Sequence, residues 1–347
     1  MRATMRIRLK TVVLSLVVLV LIAVIGGISM VGWQVVLGPD ARPTTTEKFE
    51  ATEARLARGK YLAEGPLHCF YCHTDHDMTG PEPLYPIIQS RKGAGWVMPI
   101  PELNNIAARN ITPDPETGIG TWSDDQVARA IREGVRADGS ALFPLMPYME
   151  FATLDDEDVK SIVVYLRTIP PVRHTVPTRK LPGPLEYIVK TMPKPLTTPQ
   201  PSHPSSTPEE RGKYLATLAG CGGCHTITKD GVPMPGMSFA GGQIFEIPGL
   251  ERPVFTANIT TDPSGIAHYD ESLFINTLRT GQMGGRTLNH IMPFEFFKNM
   301  TDEDMRDIFA FIKAQPPVKH RVSNTDPPTL CPQCNQAHGL GELNAKK

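Results

Sequence analysis

Aromatic residues make up only 7% of this 347-residue chain, which argues against a large core built from rings. No segment shows the apolar–polar alternation of a half-buried strand, which argues against a sheet protein. Neither sign of charge is in excess. The 35 Lys and Arg offset 36 Asp and Glu, a formal net of -1, so no bulk basic field points to nucleic acid. Cysteine is scarce and never solitary: all six fall in three Cys-x-x-Cys pairs, Cys69/Cys72, Cys221/Cys224 and Cys331/Cys334. No acid–base pair or nucleophile stands out beside them.

Charge is missing altogether from Thr11 to Trp33, a stretch of 23 residues that follows Arg2, Arg6, Arg8 and Lys10. As a helix this stretch rises about 35 Å, enough to cross a bilayer core. A cleaved signal peptide is the competing reading. Its apolar region would be shorter, about 7–15 residues, and would end at a small-x-small site. No Ala-x-Ala occurs between Ile25 and Asp40. Residues 11–33 are therefore expected to be a retained transmembrane anchor. Residues 1–10 form its cytoplasmic basic flank, and everything after Trp33 lies outside.

Proline is abundant, at 34 residues, which suits small helical units joined by irregular loops. The remainder of the chain is an internal duplication. Arg58-Gly59-Lys60-Tyr61-Leu62-Ala63 recurs as Arg211-Gly212-Lys213-Tyr214-Leu215-Ala216. Asn110-Ile111-Thr112 recurs as Asn258-Ile259-Thr260, and Met146-Pro147-Tyr148 as Met292-Pro293-Phe294. Thr153 to Val172 recurs as Thr301 to Val318. A repeat of this size means a duplicated domain, not a solenoid. The expected division is 47–172 and 207–318, joined by a Pro-rich linker at 173–206 laid over the domains and followed by a short tail, 319–347.

Each copy reads as a few helices around a loop-rich middle. Ser123 with Gln126 and Thr207 with Glu210 are capping boxes, the second with Pro208 at the first helical position. Val159, Ile162, Val163 and Leu166 form one apolar stripe on a last helix, and Met305, Ile308, Phe309 and Ile312 repeat it. Pro170-Pro171 and Pro316-Pro317 stop the two helices.

Two of the cysteine pairs continue into histidine: Cys69-Phe70-Tyr71-Cys72-His73 and Cys221-Gly222-Gly223-Cys224-His225. Cys-x-x-Cys-His is the attachment signature of c-type haem. The two thiols add to the porphyrin vinyl groups, and the adjacent histidine reaches the iron from the proximal side. Two such matches inside parallel repeats predict two covalently bound haems. In bacteria this attachment occurs outside the cytoplasmic membrane, which agrees with the anchor.

A partner is needed across each iron. Met146 and Met292 precede a proline and the final helix of their copies, and proline restricts the residue before it. They are the predicted sixth ligands, with His290 and Met149 as neighbouring alternatives. Met98, Met234 and Met237 read as packing or crevice lining. His68 and His76 flank the first motif and read as solvated, the alternative being a contact to a haem propionate. Asn110 and Asn258 read as turn formers, the sharper alternative being a polar contact near a haem edge. Trp122 and Tyr269 read as packing residues. Cys331-Pro332-Gln333-Cys334 has Asn335 where histidine would stand, so a small disulfide is expected there. A metal half-site with His338 lacks partners.

The run Asn110 to Gly120, then Trp122-Ser123, then Pro144 to Tyr148, resembles the cytochrome c subunits of bacterial membrane-bound alcohol, aldehyde and gluconate dehydrogenases. The second copy matches less closely, and such subunits usually carry three haems against two motifs here. The resemblance implies a mainly α fold with two tandem class I-like cytochrome c domains after one N-terminal transmembrane helix. It also implies Cys69, Cys72, Cys221 and Cys224 as thioether sites, His73 and His225 as proximal ligands, and Met146 and Met292 as distal ligands.

The expected role is electron transfer rather than catalysis, with the chain held by one span in the bacterial inner membrane and its haem domains in the periplasm. The donor would be a periplasmic or membrane-bound dehydrogenase. The acceptor would be a cytochrome, a quinone-side complex or a terminal oxidase. The rival is a dihaem redox enzyme, peroxidase-like or thiosulfate-oxidising, which needs a labile axial position. Two matched methionines leave no obvious vacancy. A haem-based sensor is a third reading, but no cytoplasmic output domain is visible.

Overall fold

The computed structural model describes residues 2–77, 86–178, 180–201, 207–229, 231–246 and 252–345, with the backbone alone for residues 2–10. Pro204 of the linker lies outside the described residues.

Helix α1, Arg2–Val31, carries the uncharged stretch. Its segment Thr11–Val31 has a mean hydropathy of 3.0 and is not buried by any of the described residues. The helix ends at Val31 rather than at Trp33 because Gly32 takes φ +116°, a conformation closed to most side chains. A single turn, Gln34–Leu37, follows and is met by the linker: Lys190 Nζ donates to the Val35 carbonyl at 3.3 Å.

Two halves of matching build come next. In the first, helices α2 (Glu53–Glu64), α3 (Asp124–Glu133) and α4 (Asp156–Leu166) enclose a loop-rich middle. In the second, α5 (Pro208–Leu218), α6 (Glu271–Thr280) and α7 (Asp302–Lys313) do the same. Both capping boxes form, at Ser123/Gln126 and Thr207/Glu210. Asp155 and Thr301 cap the last helices by accepting from the amides of Asp158 and Asp304. Both predicted stripes face inward. Val159, Ile162, Val163 and Leu166 are buried, as are Met305, Ile308, Phe309 and Ile312. Each such side chain contributes about 2 kcal/mol by leaving water.

The first helix of each half crosses the last at a glycine. A Cβ on Gly59 would lie 1.9 Å from the Ser161 carbonyl oxygen, and one on Gly212 would lie 1.8 Å from that of Asp307. The repeated Arg-Gly-Lys-Tyr-Leu-Ala thus permits backbone-to-backbone contact between the two helices.

The halves meet face to face. Tyr61 of α2 donates to Asp304 of α7, and Tyr214 of α5 donates to Asp158 of α4 at 2.8 Å. Tyr61 and Tyr214 are matching residues of the repeat, and so are the third-position carboxylates Asp158 and Asp304. The contact is therefore reciprocal. Leu218 and Phe296 of the second half enter the apolar core of the first.

Segments outside the helices are strapped down. Arg42 reaches Asp125 at 2.7 Å and Glu133 at 2.8 Å on α3. The linker lies along the first half: Arg109 Nη1 donates to the Val176 carbonyl at 3.0 Å, and Glu133 accepts from the Leu196 amide at 3.2 Å. Strands are short. The longest, β1 (Ser323–Leu330), pairs antiparallel with β2 (Ala337–Gly339), so the stretch read as a short tail folds back as a hairpin.

Candidate haem sites

Cys69–Cys72 and Cys221–His225 each form one turn of helix, which brings both thiols of a motif to the same side. The residue before each turn is left-handed: Gly220 with φ 68°, and His68 with φ 38°. His68 bears this strain because its Nδ1 meets the Pro66 carbonyl at 3.0 Å and its ring meets Tyr71 and, across the interface, Phe297 at 5.6 Å. His76 is buried, with Nε2 2.7 Å from the Tyr71 carbonyl and its ring 4.4 Å from Trp96. The solvated role expected of these two histidines is thus corrected. Their partners come from the turn itself, from Trp96 and from the other half, none of which local spacing reveals.

The proximal candidates are held alike. His73 Nδ1 lies 2.6 Å from the Arg109 carbonyl, and His225 Nδ1 lies 2.7 Å from that of Ala257. Burial lowers both imidazole pKa values, while the carbonyl partner acts in the opposite direction. A neutral ring that donates from Nδ1 keeps its Nε2 lone pair for a metal. Burial also pushes the thiols of Cys69 and Cys221 up to about 12 and that of Cys72 to about 11. A redox dithiol needs the opposite shift. Thiols that stay protonated until they are consumed beside a neutral imidazole suit thioether attachment, so the donor set fits haem c.

Met146 and Met292 sit in matched turns. Each amide donates three residues back, to Phe143 and to Asn289 at 3.1 Å, and each carbonyl accepts from the residue after the proline at 2.7 Å. Pro147 (φ -79°, ψ 53°) and Pro293 (φ -78°, ψ 49°) match as well. Met146 packs on the same core as Cys69, and Met292 on the same core as Cys221. His290 lies with its ring 4.9 Å from Phe294, and Met149 is half exposed.

Asn110 and Asn258 are stapling residues. Each side-chain amide donates to the carbonyl just after the final helix, Val172 at 2.8 Å or Val318 at 2.7 Å. Each side-chain oxygen accepts from the amide of Thr112 or Thr260 at 2.9 Å. Trp122 and Tyr269 pack on their cores. Met237 is buried and Met234 half-buried beside the C-terminal cysteines.

Cys331 and Cys334 are free and buried, so the expected disulfide is not formed. The half-site has the partner the sequence reading lacked. His320 and His338 join the two thiols, with all four ligand atoms within 4.8 Å of one another.

Residues 209–316 match the cytochrome c family model. The chain is homologous to cytochrome c subunits of dehydrogenases and to a dihaem cytochrome. It is 27% identical over 285 residues to the cytochrome c subunit of the quinone alcohol dehydrogenase of Gluconobacter oxydans (strain 621H), covering 78% of this chain and 56% of that protein. It is 30% identical over 302 residues to the fructose dehydrogenase cytochrome subunit of Gluconobacter japonicus, covering 80% and 56%. With a diheme cytochrome c-type protein of Cereibacter sphaeroides (strain ATCC 17023) it shares 27% over 282 residues, covering 79% and 90%. The chain spans a little over half the length of the two dehydrogenase subunits.

Proposed function

We propose that this chain is a dihaem electron-transfer protein built from two cytochrome c domains, at 47–172 and 207–318. The observation that carries the reading is the duplicated geometry. Each Cys-x-x-Cys-His turn has its imidazole tied to a carbonyl and shares a core with a Met-Pro turn. Haem c, when bound, supplies a one-electron couple. The chain's own residues set its potential: Met146 and Met292 as neutral thioether ligands, His73 and His225 as ligands oriented through Nδ1, and the apolar cores that exclude water.

Two haems in one chain make a relay. The first motif faces the second half, where the Tyr71 ring lies 6.1 Å from that of Phe296. The donor is a dehydrogenase, as the names of the relatives suggest, and the acceptor is a cytochrome, a quinone-side complex or a terminal oxidase. Thr11–Val31 anchors the chain in the inner membrane with both haem domains in the periplasm.

Intact mass of the protein from its native membrane tests the core of this reading. It should exceed the polypeptide by two haem masses, and a mass showing one haem or none overturns the reading. The reduced wild-type protein should bind little carbon monoxide. Ready binding at one iron would mean an open site and a redox enzyme instead of a carrier.

A further inference from the structure

His320, Cys331, Cys334 and His338 lie far from both haem motifs in sequence, and all four are buried. Their contacts are those of a closed ligand set. Cys331 Sγ lies 3.6 Å from His320 Nε2, and Cys334 Sγ lies 3.4 Å from His338 Nε2. Tetrahedral zinc, with bonds of ~2.3 Å to sulfur and ~2.0–2.1 Å to nitrogen, has S···N edges of about 3.6 Å. These two S···N edges are therefore those of ligands around one ion, and all four ligand atoms lie within 4.8 Å of one another.

The outer contacts agree. His320 Nδ1 is 2.8 Å from the Ala240 carbonyl, and His338 Nδ1 is 3.0 Å from that of Gly339. Each ring is thus fixed with Nε2 turned to the sulfurs, as a metal ligand requires. Asn344 donates to Cys331 Sγ at 3.5 Å, a bond suited to a thiolate. The turn between the cysteines is built for the purpose. The Asn335 amide donates to the Cys331 carbonyl at 2.8 Å, and Asn335 takes φ +60°, which asparagine tolerates. This accounts for asparagine where the haem motif carries histidine.

The first half provides an internal control. His174 occupies the place of His320 in the repeat, and its Nδ1 meets the Ala94 carbonyl at 3.0 Å. That bond alone therefore needs no metal. No cysteine lies between His174 and the haem motif at Cys221, and His174 is only half-buried. What distinguishes the second half is the hairpin that buries His320 and sets two thiols and a second imidazole against it.

A disulfide would leave two desolvated imidazole nitrogens facing sulfurs that offer them almost nothing, which is costly in a buried site. A divalent ion satisfies all four groups at once. Two thiolates and two neutral imidazoles in a closed tetrahedral set, with no position for water, select zinc among common divalent ions.

We propose that His320, Cys331, Cys334 and His338 bind one structural zinc ion, releasing the two thiol protons. The ion pins the hairpin to the second half. The Ala240 carbonyl that holds His320 adjoins Gly241, whose amide donates to the His225 carbonyl at 2.8 Å. The zinc site therefore braces the turn that carries the second proximal histidine.

The test is elemental analysis of the full chain, purified with its haems in place and without chelator, with zinc counted per polypeptide. The expected result is one zinc per chain. X-ray absorption at the zinc edge should show two sulfurs at about 2.3 Å and two nitrogens at about 2.0–2.1 Å. The double variant C331S/C334S, and separately His338→Ala, should lose zinc at least tenfold, while His174→Ala should retain it. Alkylation of the denatured wild type in the presence of chelator should label both Cys331 and Cys334. Recovery of the Cys331–Cys334 peptide as a disulfide, with zinc below a tenth of an equivalent, overturns the proposal. So does zinc that persists in the double variant, or another metal at full occupancy in the wild type.

Discussion

Asn110 and Asn258 each satisfy buried backbone groups of two separate segments with one side chain. Replacing either with alanine strands the amide of the threonine two residues on and leaves the carbonyl beyond the last helix with only that threonine's hydroxyl at 3.4 Å. The expected cost is about 2–3 kcal/mol for each, similar in the two halves, measured by denaturant unfolding of the haem-loaded protein. The methionines make a different case, because their removal should be read at the iron. Met146→Ala should let the first haem bind one carbon monoxide per chain on reduction and should lower its potential. Met292→Ala should do the same at the second, and His290→Ala should change neither. At this scale the pattern of adjacent residues was enough to find the two matching Cys-x-x-Cys-His turns. It was unreadable where a residue's partner is distant. His68 is matched by Phe297, and Cys331 by His320 across a hairpin, and neither pairing leaves a trace in local spacing.

At the scale of elements, both stripes and both capping boxes were legible because helix periodicity and capping are local. Strand β1 was not. Its Pro327 and Pro328 argue against a strand, and they are tolerated because the register shifts between His338 and Gly339, leaving the prolines outside the paired positions. The glycine crossings lend themselves to test. Gly59→Ala and Gly212→Ala should each drive a methyl into a carbonyl of the facing helix, at a cost of about 3 kcal/mol. A fall in the yield of soluble haem-loaded protein and in its melting temperature checks this. Gly139→Ala, with nothing near its Cβ, is a control for space but not for backbone, since its φ is +82°.

The Arg42 strap gives a pH dependence. Burial pushes the Asp125 carboxyl up, but Arg42 and the Thr45 amide outweigh it and hold its pKa below the ordinary range. Burial prevails at Glu133 and leaves it raised. Asp125 thus contributes stability that is present above its unfolded pKa and lost as pH falls through its folded one. Arg42→Ala should cost about 2 kcal/mol near neutral pH. The penalty should shrink in acid as Glu133 protonates first and Asp125 later. A penalty that grows on acidification would contradict the assignment.

For the whole molecule, the expected outcome of an alkaline carbonate wash is that the full chain stays in the membrane pellet. A variant in which a cleavable export signal replaces residues 2–33 should appear in the supernatant with its haem complement intact. The reciprocal interface invites a subtler consequence. Tyr61 must wait for Asp304, which leaves the ribosome 243 residues later. During synthesis the first half therefore presents an unfilled face, and the second half of a neighbouring chain fits it as well as its own. Covalent tethering favours self-closure, holding the two halves at an effective concentration on the order of millimolar. Chains held in a membrane plane by the proposed anchor would approach that figure from outside. An exchanged dimer would then satisfy every contact of the monomer, so the same symmetry that joins two halves of one chain also leaves a route for joining two chains.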